Sequence, residues 1–421
     1  MRRVIWRLCW ISMSGHEATK ITYRYERWRA LSAGVLETAG TTFLLLIAVR
    51  WFDADSFSKS IIATSGAIGL VISPWIVSLV ANLGWPTSKA AARLAALGSG
   101  SLVLASLFPF LPIYVITSVV AMSSFSAAIP LLTQMYQENY PEQERGRRFS
   151  RALMIRIATA AIFSELAGRF LTHRMENFRW LLLIFAAAAA FASFCLARCP
   201  TRTLTQMKGT HPFRALHFVR EDPLFRLTLI CWMLMGFATL MMQPLRVEYL
   251  ANPKYKMGLT VSMIALLTGV IPNGARLILS PIWGWLFDHM NFFILRVTLN
   301  CGFALGILTF FTSHDLKGLV IAAVIFGISN AGGDVAWSLW VTKFAPPDRV
   351  ADYMSVHTFF TGIRGVVAPL CAFRLAAGMS MQTLGSISTG LILGATLLLL
   401  PEIKFGRSAR RTPVLIEEVS E

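Results

Sequence analysis

The stretch Ser280-Pro-Ile-Trp-Gly-Trp-Leu-Phe-Asp288-His-Met-Asn-Phe292 is a run of bulky apolar side chains that stops abruptly at a carboxylate and an imidazole. Upstream, the apolar character extends back to residue 258, long enough for a helix to cross a bilayer, which takes roughly 20 residues. The pattern recurs along the chain. Segments of this kind fall near 31–50, 59–81, 90–109, 111–135, 149–171, 178–197, 225–247, 258–287, 293–313, 317–342, 352–377 and 381–400. The composition agrees: 55% of the residues are hydrophobic and 14% charged, against about 25% charged in a soluble chain. Twelve membrane-spanning helices are expected, so the protein is an all-α membrane protein.

The formal charge of +17 does not describe a nucleic-acid-binding face, because the basic residues punctuate the chain between apolar runs. With both termini on one side, that side's segments hold about 26 Lys and Arg, the opposite side's about 8 and the helices about five, which orients the chain with both termini cytoplasmic. The expected location is the plasma (inner) membrane, as a multi-pass protein. Six cysteines lie mostly inside apolar runs with no CxxC pair and read as small buried hydrophobes. No metal or cofactor is indicated. The opening Met1–Met13 is basic and apolar, lacks a cleavage site and reads as a disordered or interfacial leader, with Met13 an alternative start.

The longest internal hydrophilic stretch, Arg198–Pro223, divides the spans into two sixes. Within it, 212–220 reads either as a basic amphipathic turn at the headgroups or as a plain linker. The halves resemble each other. Ser73-Pro74 and Ser280-Pro281 each precede the end of a span, and Glu144-Arg145 before Phe149 matches Asp348-Arg349 before Tyr353. Nearly equal offsets of half the chain imply duplicated six-helix bundles related by pseudo-symmetry, as in many secondary transporters. The expected organisation is an N-terminal segment 1–30, a first bundle 31–197, a linker 198–223, a second bundle 224–401 and a tail 402–421.

The quoted stretch resembles the loop signature of the major facilitator superfamily, Gly-x-x-x-Asp-Arg/Lys-x-Gly, in its second-half copy. Gly284 and Asp288 match, while His289 and Asn291 depart from it. Asp222-Pro223-Leu-Phe-Arg226 resembles a lead-in to the family's seventh span, and Gly362-Ile-Arg364-Gly365 with Pro369 resembles its eleventh. In the first-half copy Val77 and Ala81 replace the Gly and Asp, and the Gly-Pro pair of drug/proton exchangers is missing from 158–171. The resemblance implies two six-helix bundles that rock about a midplane site. It also implies that Asp288 meets the start of the fifth span, where Arg145, Arg147 and Arg148 add to the helix dipole, as a latch that holds a gate shut. A solvated turn carboxylate is the plain reading of the same residue.

Charged groups at bilayer depth each cost about 2.5–3.5 kcal/mol even on the lenient scale, so those inside spans are candidates for function. Glu37 in the first span is the candidate proton-binding carboxylate; a shallow carboxylate bonded to a neighbouring helix is the alternative. Glu165 and Arg169, four apart on one helix face, read as a structural pair. Arg156 faces away from them and needs another partner, Glu37 being one. In the second half, Asp334 is expected to meet Arg364 across adjacent helices, and Arg276 follows an expected helix interruption at Pro272-Asn273-Gly274. The presumed interior set of Glu37, Arg156, Arg276, Asp334 and Arg364 has cations in excess, which favours an anionic or zwitterionic solute. Trp232, Gln243, Trp337, Trp340 and a methionine group at 233–242 are possible solute contacts, with helix packing as the plain alternative.

No nucleophile–base arrangement, phosphate-cradling loop or soluble domain points to an enzyme or an ATP-driven pump. The leading expectation is a monomeric secondary transporter of a small solute, coupled to protons. Alternatives are a proton-coupled drug or metabolite exporter, and a transport-inactive membrane receptor or assembly factor.

Overall fold

A computed structural model describes residues 15–203, 214–343 and 350–405. Among the described residues, twelve long helices form. α1 covers 15–50, composed of Gly15–Thr38, a π-turn Ala39–Phe43 and Leu44–Arg50. There follow α2 (Ser56–Asn82), α3 (Thr87–Leu107), α4 (Leu111–Asn139), α5 (Glu142–His173) and α6 (Phe178–Arg198). After the linker come α7 (Pro223–Ala251), α8 (261–289, with a π-turn at Leu266–Val270), α9 (Phe292–Thr312), α10 (Leu316–Leu339), α11 (Val350–Ala376) and α12 (Met381–Leu399). Eleven of these helices are long and apolar enough to cross a bilayer. The twelfth, α5, has 32 residues but its apolar run is interrupted by Arg151, Arg156, Glu165 and Arg169.

Local chemistry explains the starts. Asp55, Asp222, Thr260, Asn291, Asp315 and Ser380 each accept hydrogen bonds from backbone N–H groups of the first turn that follows, satisfying donors that a helix leaves orphaned. The expected interruption at Pro272 does not break α8. The π-turn just ahead of it widens the backbone ladder, so the proline sits at the start of a fresh α-segment, Ile271–His289.

α1 begins at Gly15, well before the expected start of the first span at residue 31, because its early turns are held by α4. Glu26 accepts two hydrogen bonds from Arg29 and one from Tyr136, and Asn139 donates to Thr22 and to the Pro200 carbonyl. The linker after residue 213 forms a 3₁₀ turn, Arg214–His217, and one helical turn, Phe218–Glu221. Phe218 stacks on Tyr353 at 4.8 Å. The leader Met1–Met13, residues 204–213 and the tail from 406 lie outside the described residues.

The described residues divide into two compact units. Unit 1 holds α1–α6 together with Leu259–Gly269, the first turns of α8; unit 2 holds the rest of α7–α12. In unit 1, α1 packs on α5 and α6, α2 on α4, and α3 on α4 and α6. In unit 2, α7 packs on α11 and α12, α8 on α10, and α9 on α10 and α12. The two sets coincide when six is added to each helix number, so the duplication read from the sequence is realised as pseudo-symmetric packing. Pro74 in α2 and Pro281 in α8 occupy matched helices.

Candidate functional site

In unit 1, Gly34 sets the approach of α1 to α5. A Cβ there would stand 2.5 Å from the Arg156 carbonyl oxygen and 2.7 Å from Thr159, so only glycine lets the backbones come this close. One turn on, the Glu37 carboxylate pairs with the Arg156 guanidinium at 2.8 Å, the side chains 19% and 38% exposed. Glu165 and Arg169 pair at 2.6 Å along α5, with Arg169 largely exposed.

In unit 2, Asp334 pairs with Arg276, Nε to Oδ2 at 2.5 Å, and not with Arg364 as the order of helices suggests. Gly327 lets α10 lie directly on α8, its absent Cβ leaving room for the Pro272 carbonyl and Ala275, whereas successive helices α10 and α11 pack less extensively. Arg364 instead donates to the Trp232 carbonyl, its guanidinium seated over Gly236, where any side chain would collide with it.

Around Trp232 stands a cluster that charge pattern alone does not reveal. Arg296 on α9 is fully buried, and its guanidinium carbon lies 3.4 Å from the centroid of the Trp232 ring. Among the described residues, none of its three nitrogens meets a hydrogen-bond acceptor. His357 on α11 is also fully buried with both ring nitrogens unpaired, and the rings of Trp232, Trp337 and Trp340 surround it at 5.4, 5.8 and 5.2 Å. The signal available in the sequence is a lone arginine inside the apolar run Phe292–Thr312. Burying an unpaired guanidinium costs several kcal/mol, and a desolvated ring-face contact returns about 2 kcal/mol, so stacking on Trp232 does not offset the burial. Tyr353 and Phe225 (4.5 Å), with Phe225 and Trp340 (5.6 Å), continue the aromatic packing from His357 toward the start of α7. Met235, Met241 and Met242 are core residues.

Of the expected latch, Gly284 lies in α8 with open space at its Cβ position. Arg148 is engaged within unit 1, paired with Glu144 at 2.5 Å and lying 4.8 Å from the Tyr23 ring. The side chains of Arg145, Arg147 and Asp288 lie outside the described residues. His289 stacks on Trp285 at 4.7 Å. Among the described residues no group of three or more His, Cys, Asp or Glu could hold a metal ion.

A family model described as Major Facilitator Superfamily matches residues 30–369. No curated protein matches the chain. Among solved structures, the nucleoside transporter NupG superposes with a TM-score of 0.71 at 13% identity, covering 90% of this chain and 98% of that one. A D-xylose-proton symporter gives 0.61 at 14% identity, covering 91% and 95%. A POT family transporter in complex with 5-aminolevulinic acid gives 0.69 at 14% identity, covering 91% and 96%. At these identities the likeness speaks to the fold alone.

Proposed function

Because the chain belongs to the Major Facilitator Superfamily, we propose that it is a secondary active transporter that moves a small polar or anionic solute by alternating access, coupled to protons. The observation that carries the coupling is the Glu37–Arg156 pair at 2.8 Å, a largely buried carboxylate of the apolar helix α1 joined to a cation of α5. Protonating Glu37 would break the pair and release the guanidinium, so proton binding and the α1–α5 contact are linked. A proton-coupled symporter among the similar structures makes this the first coupling ion to test. The missing exchanger signature in α5 favours uptake over export. We place the protein in the plasma (inner) membrane with both termini cytoplasmic, as the Lys and Arg distribution supports, and take the working unit to be a monomer.

The test is solute accumulation in proteoliposomes under an imposed proton gradient, across sugars, nucleosides, amino acids and carboxylates. At least one solute is expected to accumulate, with collapse by a protonophore. Glu37→Gln should abolish gradient-driven accumulation while leaving counterflow. Absence of both accumulation and counterflow across the panel would refute the transport reading. It would favour a transport-inactive receptor or assembly factor, for which the eroded first-half loop at Val77 and Ala81 speaks. Gradient-driven extrusion in place of accumulation would mark an exporter.

A further inference from the structure

We infer that Arg296, Arg364 and His357 line a buried oxyanion-binding site inside unit 2, between α7, α9 and α11. Three helices deliver hydrogen-bond donors to one place. From α9 comes the Arg296 guanidinium, fully buried, with Nε, Nη1 and Nη2 all unpaired. From α11 come His357, Thr361 and Arg364, at spacings of four and three that put them on one face; the His357 ring, the Thr361 hydroxyl and Arg364 Nε are unpaired. From α7 comes Trp232, whose indole Nε1 is unpaired. Its ring lies against Arg296, its carbonyl accepts from Arg364, and His357 flanks it.

The inventory is one-sided. Guanidinium and indole groups only donate; a neutral imidazole adds one N–H and one acceptor nitrogen, and the Thr361 hydroxyl can do either, so donors outnumber acceptors. Both guanidinium groups lie against the same residue, Arg296 over the Trp232 ring and Arg364 at its carbonyl. Five of the six described carboxylates of unit 2 are engaged elsewhere: Asp222 at the start of α7 and with the Tyr353 hydroxyl, Asp334 with Arg276, Asp315 at the start of α10, Glu248 with Asn252, and the exposed Glu221 with His217; the sixth, Glu402, lies beyond α12. Buried polar groups in proteins are nearly always paired, and cations at membrane depth mark sites of function. A group that meets this set must bring oxygen acceptors and negative charge together, which a carboxylate or phosphate does, and guanidinium forks hold both in bidentate fashion. The three indoles form an apolar wall suited to a solute with a ring or hydrocarbon body, or to the glycerol end of an anionic lipid.

This site goes beyond the transport reading and does not depend on it, since binding is measurable on protein that moves nothing. The experiment uses the full chain in phosphatidylcholine nanodiscs. Inorganic phosphate, acetate and benzoate are titrated against chloride at constant ionic strength, with the thermal midpoint and tryptophan fluorescence as readouts. At least one oxyanion is expected to raise the midpoint and to perturb the fluorescence saturably. Arg296→Gln and Arg364→Gln should each weaken that binding at least tenfold, while Lys254→Gln at an exposed position leaves it unchanged. A parallel arm replaces part of the phosphatidylcholine with phosphatidylglycerol. A midpoint rise in that arm alone, lost in Arg296→Gln, assigns the oxyanion to a lipid headgroup. If Arg296→Gln does not fold, Arg364→Gln carries the same expectation, and the wild-type titrations stand without either. The proposal is overturned if neither soluble oxyanions nor anionic lipid act beyond chloride, or if their effect survives both arginine substitutions.

Discussion

Thr42, in the π-turn of α1, and Thr268, in the π-turn of α8, share a hydrogen bond of 3.1 Å within unit 1. The single hydroxyl hydrogen of Thr268 goes to the Ile264 carbonyl at 2.7 Å, so Thr42 is the donor and Thr268 the acceptor. Around this bond the first turns of α8 are fastened to unit 1: Arg50 donates to the Leu259 carbonyl and the Ser262 N–H donates to Thr172. Gly168 and Gly269 allow the close approach, facing Ala265 and Ser164.

Thr42→Val removes the donor and leaves Thr268 bonded to its own helix. It should lower stability by about 0.5–1.5 kcal/mol, read as a drop in thermal midpoint, while Thr42→Ser stays at the wild-type value. Equal losses in both variants would show that the methyl group and not the hydroxyl matters.

Gly34→Val drives a side chain into the Arg156 backbone, and backbone cannot swing aside. The expected cost is about 1–3 kcal/mol from overpacking, with α1 pushed off α5 and the Glu37–Arg156 pair stretched. Stability of the variant in detergent checks this; a Gly34→Val protein as stable as wild type would mean that the two helices are not in this contact.

Asp334 and Arg276 should be energetically coupled and Asp334 and Arg364 should not. Double-mutant cycles with Asp334→Asn, Arg276→Gln and Arg364→Gln are expected to give a coupling of about 0.5–3 kcal/mol for the first pair and additivity within about 0.5 kcal/mol for the second. The reverse result would restore the partner suggested by helix order.

Cys199, just beyond α6, is held by burial with its thiol pushed up to about 12 from an ordinary 9.0, and its Sγ donates to the Cys195 carbonyl. The folded state binds the thiol proton more tightly than the unfolded chain does. Its contribution to stability is therefore present below pH 9.0 and is lost as pH rises toward about 12. At pH 8 Cys199 should resist maleimide in the folded protein and react on unfolding; mass spectrometry of alkylated peptides decides.

Much of this molecule is written in short-range pattern. Twelve apolar runs, the Asp, Asn, Ser and Thr residues that cap six of the helices, and the repeated Ser-Pro at 73 and 280 are local features, and each survives in the fold. The Glu165–Arg169 pair is equally legible, since a spacing of four on a helix places two side chains together whatever else surrounds them. Glu37 and Arg156 could be matched because each is a charge in an apolar run that needs a partner.

Partner choice between helices lies beyond that reach. Asp334 takes Arg276 because α10 lies on α8, and the order of helices along the chain says nothing of which faces meet. Arg296 and His357 read along the chain as a lone cation in an apolar run and a scattered histidine; only when α7, α9 and α11 come together does a crowd of unpaired donors appear. The sequence by itself determined which segments are apolar enough for hydrocarbon, where the six capped helices start and that the two halves repeat, because hydropathy, capping and period act over a few residues; the start of α1 was set by its contacts with α4. The tertiary structure alone decided which buried charges are paired and which stand without a carboxylate. Pairing depends on the rotation of each helix about its axis and on its neighbours in space, and those are set by packing across the whole bundle.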